Sequence, residues 1–417
     1  MWAWLPKATT PVPVGALEPR GTDLWFRYGN RYLERADAIS LYGPLMPLGR
    51  EPIEPTADLH MPAPLRDAAP DAWGRRVILN ELTGQRGSEA DLDTLAEATY
   101  LMNSGSNRFG AVDFQASPAE YAARESDATL DQLQQAAELV EAGEPLPPAL
   151  HAALLSGTVM GGARPKATIR AGHTDYLAKF TTSTDVFPAV GAEAASIELA
   201  RLAGIDVPAF RMERSLGKDV LLIERFDRTA GGGRRMAVSA LTMLGIGEMS
   251  ARYGTYPEIL DVLRVHGDGK PDLGERLFER IAFNIAISNS DDHLRNHAAF
   301  WDGKQLGLTP AFDLSPGARS GDTAAQAIAY GRNGERVSNF ADLAAQAAVY
   351  DLTRRQALNV IDNIRSTVQE HWPEAADKAR IAKTQRQQLW HTQFLNPAAS
   401  YGMPATTSHP GRQADTG

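Results

Sequence analysis

Runs of apolar residues along the first quarter of the chain follow two different periods. The run Leu24-Trp25-Phe26-Arg27-Tyr28 is rich in the aromatic residues that favour strands, and Gly29-Asn30 after it predicts a turn. Tyr32-Leu33 then predicts a further extended segment. From Trp73 to Leu82 the apolar residues recur at helical spacing and predict a helix. The pattern therefore predicts an N-terminal domain of mixed strand and helix over residues 1–115.

A change of composition separates this domain from the rest of the chain. The stretch from Glu120 to Ala142 is rich in Ala, Gln and Glu, which favour helix, and a cluster of prolines at 145, 147 and 148 follows it. We therefore expect a helical connection over residues 116–148 and a larger core over 149–395. The last residues, 396–417, are rich in Pro, Ser, Thr and Gly, which predicts a disordered tail.

Both strand and helix patterns occur in the core. Residues 167–170 and 176–180 are short strand-like runs around a polar turn, which predicts a hairpin. Further on, one apolar run predicts a buried strand, and three stretches have the periodicity or composition of helices. These are the strand 220–223 and the helices 193–202, 277–288 and 341–370.

Composition and charge exclude several classes of protein. The chain has 417 residues, with 42 Lys and Arg against 51 Asp and Glu, a formal net charge of -9, and no Cys. Without Cys there are no disulfides, Cys-ligated zinc sites, iron–sulfur clusters or Cys nucleophiles. The acidic balance argues against binding of DNA or of a membrane surface by the chain as a whole. No apolar run is long enough for a transmembrane helix and the N-terminus is a poor signal peptide, so the expected location is the cytoplasm.

A loop of small residues lies directly before the predicted hairpin. The sequence Gly161-Gly162-Ala163-Arg164-Pro165-Lys166 lets backbone N–H groups approach an anion closely, and Lys166 adds a positive charge. It matches neither the Walker loop nor the dinucleotide fingerprint, and a plain turn is the alternative. Lys179, in the second strand of the hairpin, either faces solvent or pairs with phosphates while a carboxylate such as Glu193 holds it.

The densest polar segment follows the middle one of the predicted core helices. In Ser290-Asp291-Asp292-His293-Leu294-Arg295-Asn296, Asp291 is placed to accept a hydroxyl proton and Asn296 to bind Mg²⁺, as in the catalytic loop of a kinase. The alternative is an acidic turn that caps the next element. Further on, Thr309-Pro310-Ala311-Phe312-Asp313 supplies another oxygen ligand for a metal ion, the carboxylate of Asp313.

A charged segment follows the predicted strand 220–223. Placed between two lobes, Glu224-Arg225-Phe226-Asp227-Arg228 offers backbone groups to the edge of an adenine ring. The alternative is a surface ion-pair cluster of little energetic value, and it is the better interpretation of this segment taken alone.

Taken in order, these segments resemble the HipA family of serine/threonine kinases, the toxins of bacterial type II toxin–antitoxin pairs. The resemblance covers most of the chain. In the N-terminal part it rests on Asp71-Ala72-Trp73-Gly74-Arg75-Arg76 and Ser106-Asn107-Arg108-Phe109-Gly110-Ala111, and in the core on the four segments described above. It implies an α+β fold with two lobes like those of a protein kinase, an N-terminal domain of mixed strand and helix, and a largely helical C-terminal lobe.

The resemblance also implies cofactors, partners and residue roles. It implies ATP with Mg²⁺, transfer of a phosphoryl group to a protein hydroxyl, an aminoacyl-tRNA synthetase as target, and arrest of translation. The implied partner is a small DNA-binding antitoxin, HipB-like, so that contact with DNA is indirect. Asp291 is the implied catalytic base, and Asn296 and Asp313 are the implied metal ligands. The implied nucleotide-binding residues are Gly161, Gly162, Ala163, Arg164, Pro165, Lys166, Lys179, Glu224, Arg225, Phe226, His293, Asn296 and Phe312.

One segment departs from the family. Its members inactivate themselves by phosphorylating a Ser just before the Gly-rich loop, and here the best matching position is Val159. Thr158 and Ser156 are hydroxyls that could substitute for that Ser, and Asp292 is given no role. The departure motivates a second hypothesis, a catalytically weak regulatory subunit that binds an antitoxin on operator DNA. A small-molecule kinase is a third.

Overall fold

The computed structural model describes residues 1–56, 58–85, 91–125, 128–144, 146–147, 150, 154, 164–183, 185–317, 321 and 323–403. A mixed N-terminal part, a four-stranded small lobe and a mostly helical large lobe follow one another along the chain. None of the helices described is both long and apolar enough to cross a membrane.

The N-terminal part is built from two small antiparallel sheets and short helices. β1 (Trp2–Ala3) lies between β2 (Val12–Pro13) and β5 (Val112–Asp113), and β3 (Gly15–Arg20) pairs with β4 (Asp23–Tyr28). Because β1 and β5 lie at opposite ends of this part of the sequence, their pairing brings its beginning and its end together. Its helices are α1 (Asn30–Leu33), α2 (Ala63–Arg66), α3 (Ala72–Thr83) and α4 (Glu97–Asn103), with a 3₁₀ turn at Leu92–Thr94.

Of the three elements predicted for the N-terminal part, the structure confirms a strand and a helix and contradicts an extended segment. The strand over 24–28 and the helix over 73–82 are confirmed as β4 and α3. The extended segment expected at Tyr32-Leu33 is wrong, because these residues belong to α1. The Tyr32 hydroxyl donates to Ile39 O at 2.7 Å and its ring stacks on Tyr28, and such tertiary contacts override strand propensity.

Among the described residues of the connection there is one helix, α5 (Leu130–Glu141). It starts later than the helix expected from Glu120, because Thr129 and Gln132 form a capping box that fixes its first turn. Together α3 and α5 cover one face of the small-lobe sheet, so the connection is part of that lobe's core. The residues that the two helices bury there are Trp73, Val77, Leu133, Ala136 and Ala137.

The small lobe is a four-stranded antiparallel sheet between helices. β6 (Lys166–Ala171) and β7 (Thr174–Phe180) form the predicted hairpin, and β8 (Phe210–Ser215) and β9 (Lys218–Glu224) complete the order β6-β7-β9-β8. α6 (Ala189–Leu202) covers the face opposite to α3 and α5. Because both faces are covered, β9 carries a continuous apolar run in place of an alternating one.

The large lobe is mostly helical and contains a three-stranded sheet. That sheet has the order β10 (Ala237–Ser239), β11 (Ala298–Trp301) and β12 (Leu306–Leu308). The expected helix over 341–370 is split, because Asp351 takes a left-handed conformation (φ 60°). The helices are α7 (Ala240–Met243), α8 (Tyr256–His266), α9 (Leu273–Ala286), α10 (Phe340–Ala345), α11 (Arg354–Lys378) and α12 (Lys383–Leu389), with 3₁₀ turns at Glu248–Tyr253, Leu294–Asn296, Ala347–Tyr350 and Pro397–Ser400.

The C-terminal tail is ordered further than expected. Ala399, in the last 3₁₀ turn, is fully buried, and Asn339 Nδ2 donates to Tyr401 O at 2.9 Å. These contacts tie the turn to the start of α10, so the disorder predicted from residue 396 is wrong for residues 396–403. Residues 404–417 lie outside the described part of the chain.

Candidate active site

Alternation along β7 determines where Lys179 points. Its neighbours Ala178 and Phe180 are buried on the α3 side of the sheet, so Lys179 projects from the other side, towards α6. There its Nζ donates to Glu193 Oε1 at 2.6 Å and to Asp313 Oδ1 at 2.5 Å. Of the two arrangements that the sequence left open for Lys179, the pairing with Glu193 is the one observed.

Lys179 and Asp313 stabilise each other in their charged forms. Burial disfavours the charge on Lys179, but the attraction of Asp313 and Glu193 exceeds this effect and raises the pKa of Lys179 above its ordinary value. Burial also acts to raise the pKa of Asp313, yet Lys179 and Lys166 reverse that effect and hold it below its usual range. At neutral pH, therefore, one ammonium group bridges two carboxylates.

A buried network holds the polar segment 290–296 in place. Asp292 is only 2 % exposed and accepts hydrogen bonds from Asn284 Nδ2, at 2.7 Å, and from the Tyr256 hydroxyl. His297 Nε2 lies 2.8 Å from the same carboxylate. Because a buried carboxylate is costly unless it is hydrogen-bonded, these contacts fix the conformation of the segment. Asp292, to which the sequence assigned no role, is thus the anchor of this loop.

The same loop leaves Asp291 exposed and turns Asn296 inward. Asn296 Nδ2 donates to Asp291 O at 3.3 Å, so the two residues are linked within the loop. Asn289 Nδ2 donates to Asp313 O at 3.4 Å and connects the loop to the segment of Asp313. The Nδ1 atom of His293 is buried and has no hydrogen-bond partner among the described residues, which leaves one polar atom for a ligand to satisfy.

A cavity between the lobes is apolar at one end and polar at the other. The rings of Phe109 and Phe312 lie 6.3 and 5.3 Å, centroid to centroid, from that of Phe226, while Lys179 and Asp313 stand at the polar end. An aromatic wall suits a flat ring, and a cation at the other end suits phosphates. The lining residues are Asp67, Phe109, Leu177, Lys179, Ile223, Glu224, Arg225, Phe226, Ser239, Arg295, Asn296, Phe312 and Asp313.

The charged segment after β9 joins the small lobe to the N-terminal part. Asp227 accepts from Arg225 Nε and Nη2 and from Gly110 N, each at 2.7 Å. Arg225 and Arg228 both donate to Arg108 O, at 2.9 and 2.6 Å. The interpretation of this segment as a surface ion-pair cluster is wrong, because the charges are buried and cross between two parts of the chain.

Phe109 is a cavity residue that its motif does not reveal. It lies between Arg108 and Gly110, whose backbone groups the buried cluster holds, so the N-terminal part supplies one section of the aromatic wall. Gly110 has a φ of 73°, and a Cβ there would approach Ala237 N to 3.3 Å, so a larger residue would displace this segment. An aromatic residue beside a glycine has no chemistry of its own that would indicate a nucleotide site.

Only the end of the predicted Gly-rich loop lies within the described part of the chain. Arg164 pairs with Asp185 at the surface, and Lys166 Nζ lies 3.2 Å from Asp71 Oδ2 at the start of α3. Among the residues that line the cavity neither Arg164, Pro165 nor Lys166 occurs, although Lys166 acts electrostatically on Asp313. The predicted residues outside the described part are Gly161, Gly162, Ala163, Thr158 and Ser156, with Val159 between them.

Asp313 and Asn296 are suited to a Mg²⁺ ion. Mg²⁺ takes hard oxygen ligands and is typically held by one or two protein groups together with water and substrate phosphates. Both side chains line the polar end of the cavity, and the carboxylate of Asp313 is ionised. Across the described ranges no cluster of three His, Cys, Asp or Glu is placed to hold a metal ion by itself.

Two family comparisons cover most of the chain. Residues 8–115 match the HipA N-terminal domain, and residues 158–372, more than half of the chain, match the HipA-like C-terminal domain. No curated protein sequence matches the chain closely enough to count as a relative.

Two solved structures are similar to this chain to different degrees, and only the first is similar enough to support the fold. A chain of the Shewanella oneidensis MR-1 toxin–antitoxin complex of HipA, HipB and its operator DNA is 17 % identical and gives a TM-score of 0.62, over 93 % of this chain and 97 % of that one. The Helicobacter pylori proinflammatory kinase CtkA is 13 % identical and gives a TM-score of 0.39, over 58 % of this chain and 92 % of its own. The predicted two-lobed α+β architecture is confirmed, and the chain belongs to the HipA family of toxin–antitoxin proteins.

Proposed function

We propose that this chain is an ATP- and Mg²⁺-dependent protein serine/threonine kinase that acts as the toxin of a type II toxin–antitoxin pair. The observation that carries the proposal is the bridge from Lys179 to Glu193 and Asp313 at the polar end of an aromatic-walled cavity. Kinases hold the phosphates of ATP with a strand lysine that a helix carboxylate orients, beside a metal-binding Asp. Membership of the HipA family supports the same assignment.

The two ends of the cavity divide the binding of ATP between them. The rings of Phe109, Phe226 and Phe312 form the wall against which the adenine packs, and the backbone at Glu224 and Arg225 reaches its edge. At the other end Lys179, Asn296 and Asp313 face the phosphates. Asn296 and Asp313 would hold Mg²⁺, which would neutralise part of the phosphate charge.

Asp291 is the catalytic base in this proposal. Its exposed carboxylate accepts the proton of a Ser or Thr hydroxyl while that oxygen bonds to the γ-phosphorus. The bond from the γ-phosphorus to the bridging oxygen of the β-phosphate breaks in the same displacement, and ADP departs with that electron pair. Asp292 acts through the loop and is a positioning residue.

Labelling with [γ-³²P]ATP and Mg²⁺ in a cell lysate tests the proposal. The wild-type chain should label a protein band on Ser or Thr, and Asp291→Asn should abolish it, because a positioned base contributes about 10²–10⁴ in rate. A matched control is Asp362→Asn, which changes an exposed carboxylate that pairs with Arg365 on α11. Equal labelling by wild type and Asp291→Asn would overturn the role of Asp291.

We further propose that the target is an aminoacyl-tRNA synthetase and that the partner is a small HipB-like DNA-binding antitoxin. The similar Shewanella complex contains HipA, HipB and operator DNA, which supports this choice of partner. A net charge of -9 favours contact with DNA through a basic partner over direct contact. Because ATP and the synthetases are cytoplasmic, the activity belongs there. Failure of every purified synthetase to accept label would refute the target class.

The second candidate is a regulatory subunit that binds an antitoxin on operator DNA without much catalysis. Val159 at the position best matching the family's phosphorylated Ser favours it, since Val has no hydroxyl to modify. A gel shift of operator with antitoxin, with and without this chain, separates the two candidates. A supershift without any labelling of protein would favour the regulatory subunit, and labelling without a supershift would exclude it.

A further inference from the structure

A buried guanidinium group contacts the segment that carries the proposed metal ligand Asp313. Arg280, on α9, is 2 % exposed and does not line the nucleotide cavity. Its Nη2 donates a hydrogen bond to Thr309 O, directly after β12. Because Thr309 begins the segment that ends at Asp313, this bond joins α9 to the residue on which metal binding depends in the proposed kinase.

The charge of Arg280 is costly for a residue that only fills space. Among the described residues its guanidinium forms no ion pair, and its Nη1 is buried without a hydrogen-bond partner. Burial and the repulsion of Arg276 lower the pKa of Arg280 to about 9, and the attraction of Asp206 and Glu279 only partly opposes this. The group therefore stays charged at neutral pH, although an apolar side chain of similar length would fill the same volume without that cost. The cation is better explained by the carbonyl that it binds.

The hydrogen bond to Thr309 O fixes the direction in which the segment leaves the sheet. Thr309 N and Oγ1 both donate to Ala298 O, at 3.2 and 3.0 Å, and hold the residue to β11. Because a peptide unit is planar, the bond to Thr309 O also fixes the plane that leads to Pro310, whose ring restricts φ. Arg280 thus determines the course of the backbone at the point where the strand ends.

Residues 309–313 belong to no helix or strand, so individual hydrogen bonds fix their course. Ala311 N donates to Asp206 O at 2.7 Å, whereas the bond from Asn289 Nδ2 to Asp313 O is long, at 3.4 Å. Asp313 itself has a φ of 59°, a left-handed conformation that a residue other than glycine keeps only where its surroundings hold it. Loss of the bond at the start of the segment should therefore move the Asp313 carboxylate.

We propose that Arg280 is a positioning residue for the metal site, which through Thr309 O holds the Asp313 carboxylate in the position from which it binds Mg²⁺. The consequence for catalysis rests on the proposed kinase function, whereas the position of the segment is a property of the fold. Phe312, in the same segment, is held in addition by its aromatic neighbours. Binding of the adenine should therefore depend less on Arg280 than binding of the metal ion does.

Calorimetry of nucleotide binding measures the metal site without catalysis. The ligand is AMP-PNP, an ATP analogue that does not transfer its terminal phosphate, and its Kd for the full chain is measured with Mn²⁺ and again with a chelator. Arg280→Met keeps the length of the side chain and removes its charge and donors, whereas Arg280→Lys keeps one cationic group. The matched control is Arg264→Met on α8, because Arg264 Nη2 also donates to a backbone carbonyl, Val349 O at 3.0 Å, and neither residue lines the cavity.

Arg280→Met should raise the Kd measured with Mn²⁺ by about 10–100-fold, the usual effect of removing a group that orients a metal ligand, and leave the Kd measured with the chelator unchanged. Arg280→Lys should fall between wild type and Arg280→Met, since an ammonium group also donates to a carbonyl but lacks the fork of a guanidinium. It provides the same comparison if Arg280→Met does not fold. Arg264→Met should behave as wild type. An equal change with and without Mn²⁺, or no change in either, would overturn the inference.

Hydrogen exchange separates this inference from the proposed function, because it needs neither nucleotide nor metal. In Arg280→Met the peptide that covers residues 306–316 should exchange about 10–100-fold faster, as expected for the loss of a hydrogen bond from a charged donor, and in Arg264→Met it should exchange as in wild type. Faster exchange in a chain that binds no nucleotide would refute the kinase proposal and leave Arg280 as the residue that positions the segment. Unchanged exchange in a chain that phosphorylates protein would do the reverse.

Discussion

Replacement of Asp227 by Asn tests how the N-terminal part and the small lobe are joined. The carboxylate is 1 % exposed and accepts hydrogen bonds from Arg225 and from Gly110 N, with Arg228 Nη1 at 3.0 Å. Asn keeps one acceptor, adds two donors that face the guanidinium groups, and leaves two buried cations without a counter-charge. Removal of one partner from a buried pair costs about 3–5 kcal/mol.

Hydrogen exchange measures this cost at the joint itself. If opening of the joint governs exchange, a loss of about 3–5 kcal/mol accelerates exchange by about 10²–10⁴-fold in the peptide that covers residues 106–114. The control Asp362→Asn, which affects an exposed pair with Arg365, should cost less than about 1 kcal/mol and leave that peptide unchanged. An exchange rate in Asp227→Asn equal to that of wild type would refute the account of the joint.

The pH dependence of the free energy of unfolding provides a second test of the role of Asp227. Burial acts to raise the pKa of Asp227, but Arg225 and Arg228 overcome it and hold the pKa well below the usual value of 3.8. A carboxyl group with a depressed pKa stabilises the fold above its unfolded pKa, and this contribution is lost as pH falls through the folded pKa. The difference in free energy of unfolding between wild type and Asp227→Asn should therefore have its full value at pH 6 and become smaller below pH 4.

Three further changes test other parts of the account. Phe109→Ala should raise the dissociation constant for ATP about tenfold in calorimetry, because an aromatic contact is worth about 1 kcal/mol beyond its buried area. Asp292→Asn should lower kcat more than tenfold with KM for ATP unchanged, because the loop loses its anchor while the cavity is intact, and a parallel rise in KM would contradict this. Burial and Glu275 raise the pKa of Glu279 to about 7, so its charge destabilises the fold as pH rises from 4.5 towards 7. Glu279→Gln should accordingly raise Tm at pH 8 and change it little at pH 4, and an equal change at both would contradict the assignment.

Local patterns in the sequence were sufficient to predict much of the small lobe and the ion pair of Lys179. The hairpin of β6 and β7 and the apolar run of β9 follow from residue period and turn chemistry, which are properties of adjacent residues. Lys179 lies on the strand face opposite to Ala178, and the helix that covers this face carries Glu193. The pairing was predictable because strand alternation acts within a few residues.

Contacts between distant parts of the chain account for what the sequence did not indicate. Phe109 reaches the cavity because Asp227 binds the backbone beside it, more than a hundred residues later in the chain. Asp292 becomes an anchor because Tyr256 and Asn284 lie beneath it, and charge alone does not distinguish it from exposed Asp291. Burial decides the role of each of these residues, and burial is a property of the folded chain.

The most direct test of the central claim compares the phosphoproteins of cells that produce the wild-type chain with those of cells that produce Asp291→Asn at the same level. We expect one or a few Ser or Thr sites to gain phosphate with the wild-type chain and to lose that gain with Asp291→Asn, while Asp362→Asn behaves as wild type. Identical phosphoprotein patterns from wild type and Asp291→Asn, at equal protein levels, would contradict the assignment of this cavity to phosphoryl transfer.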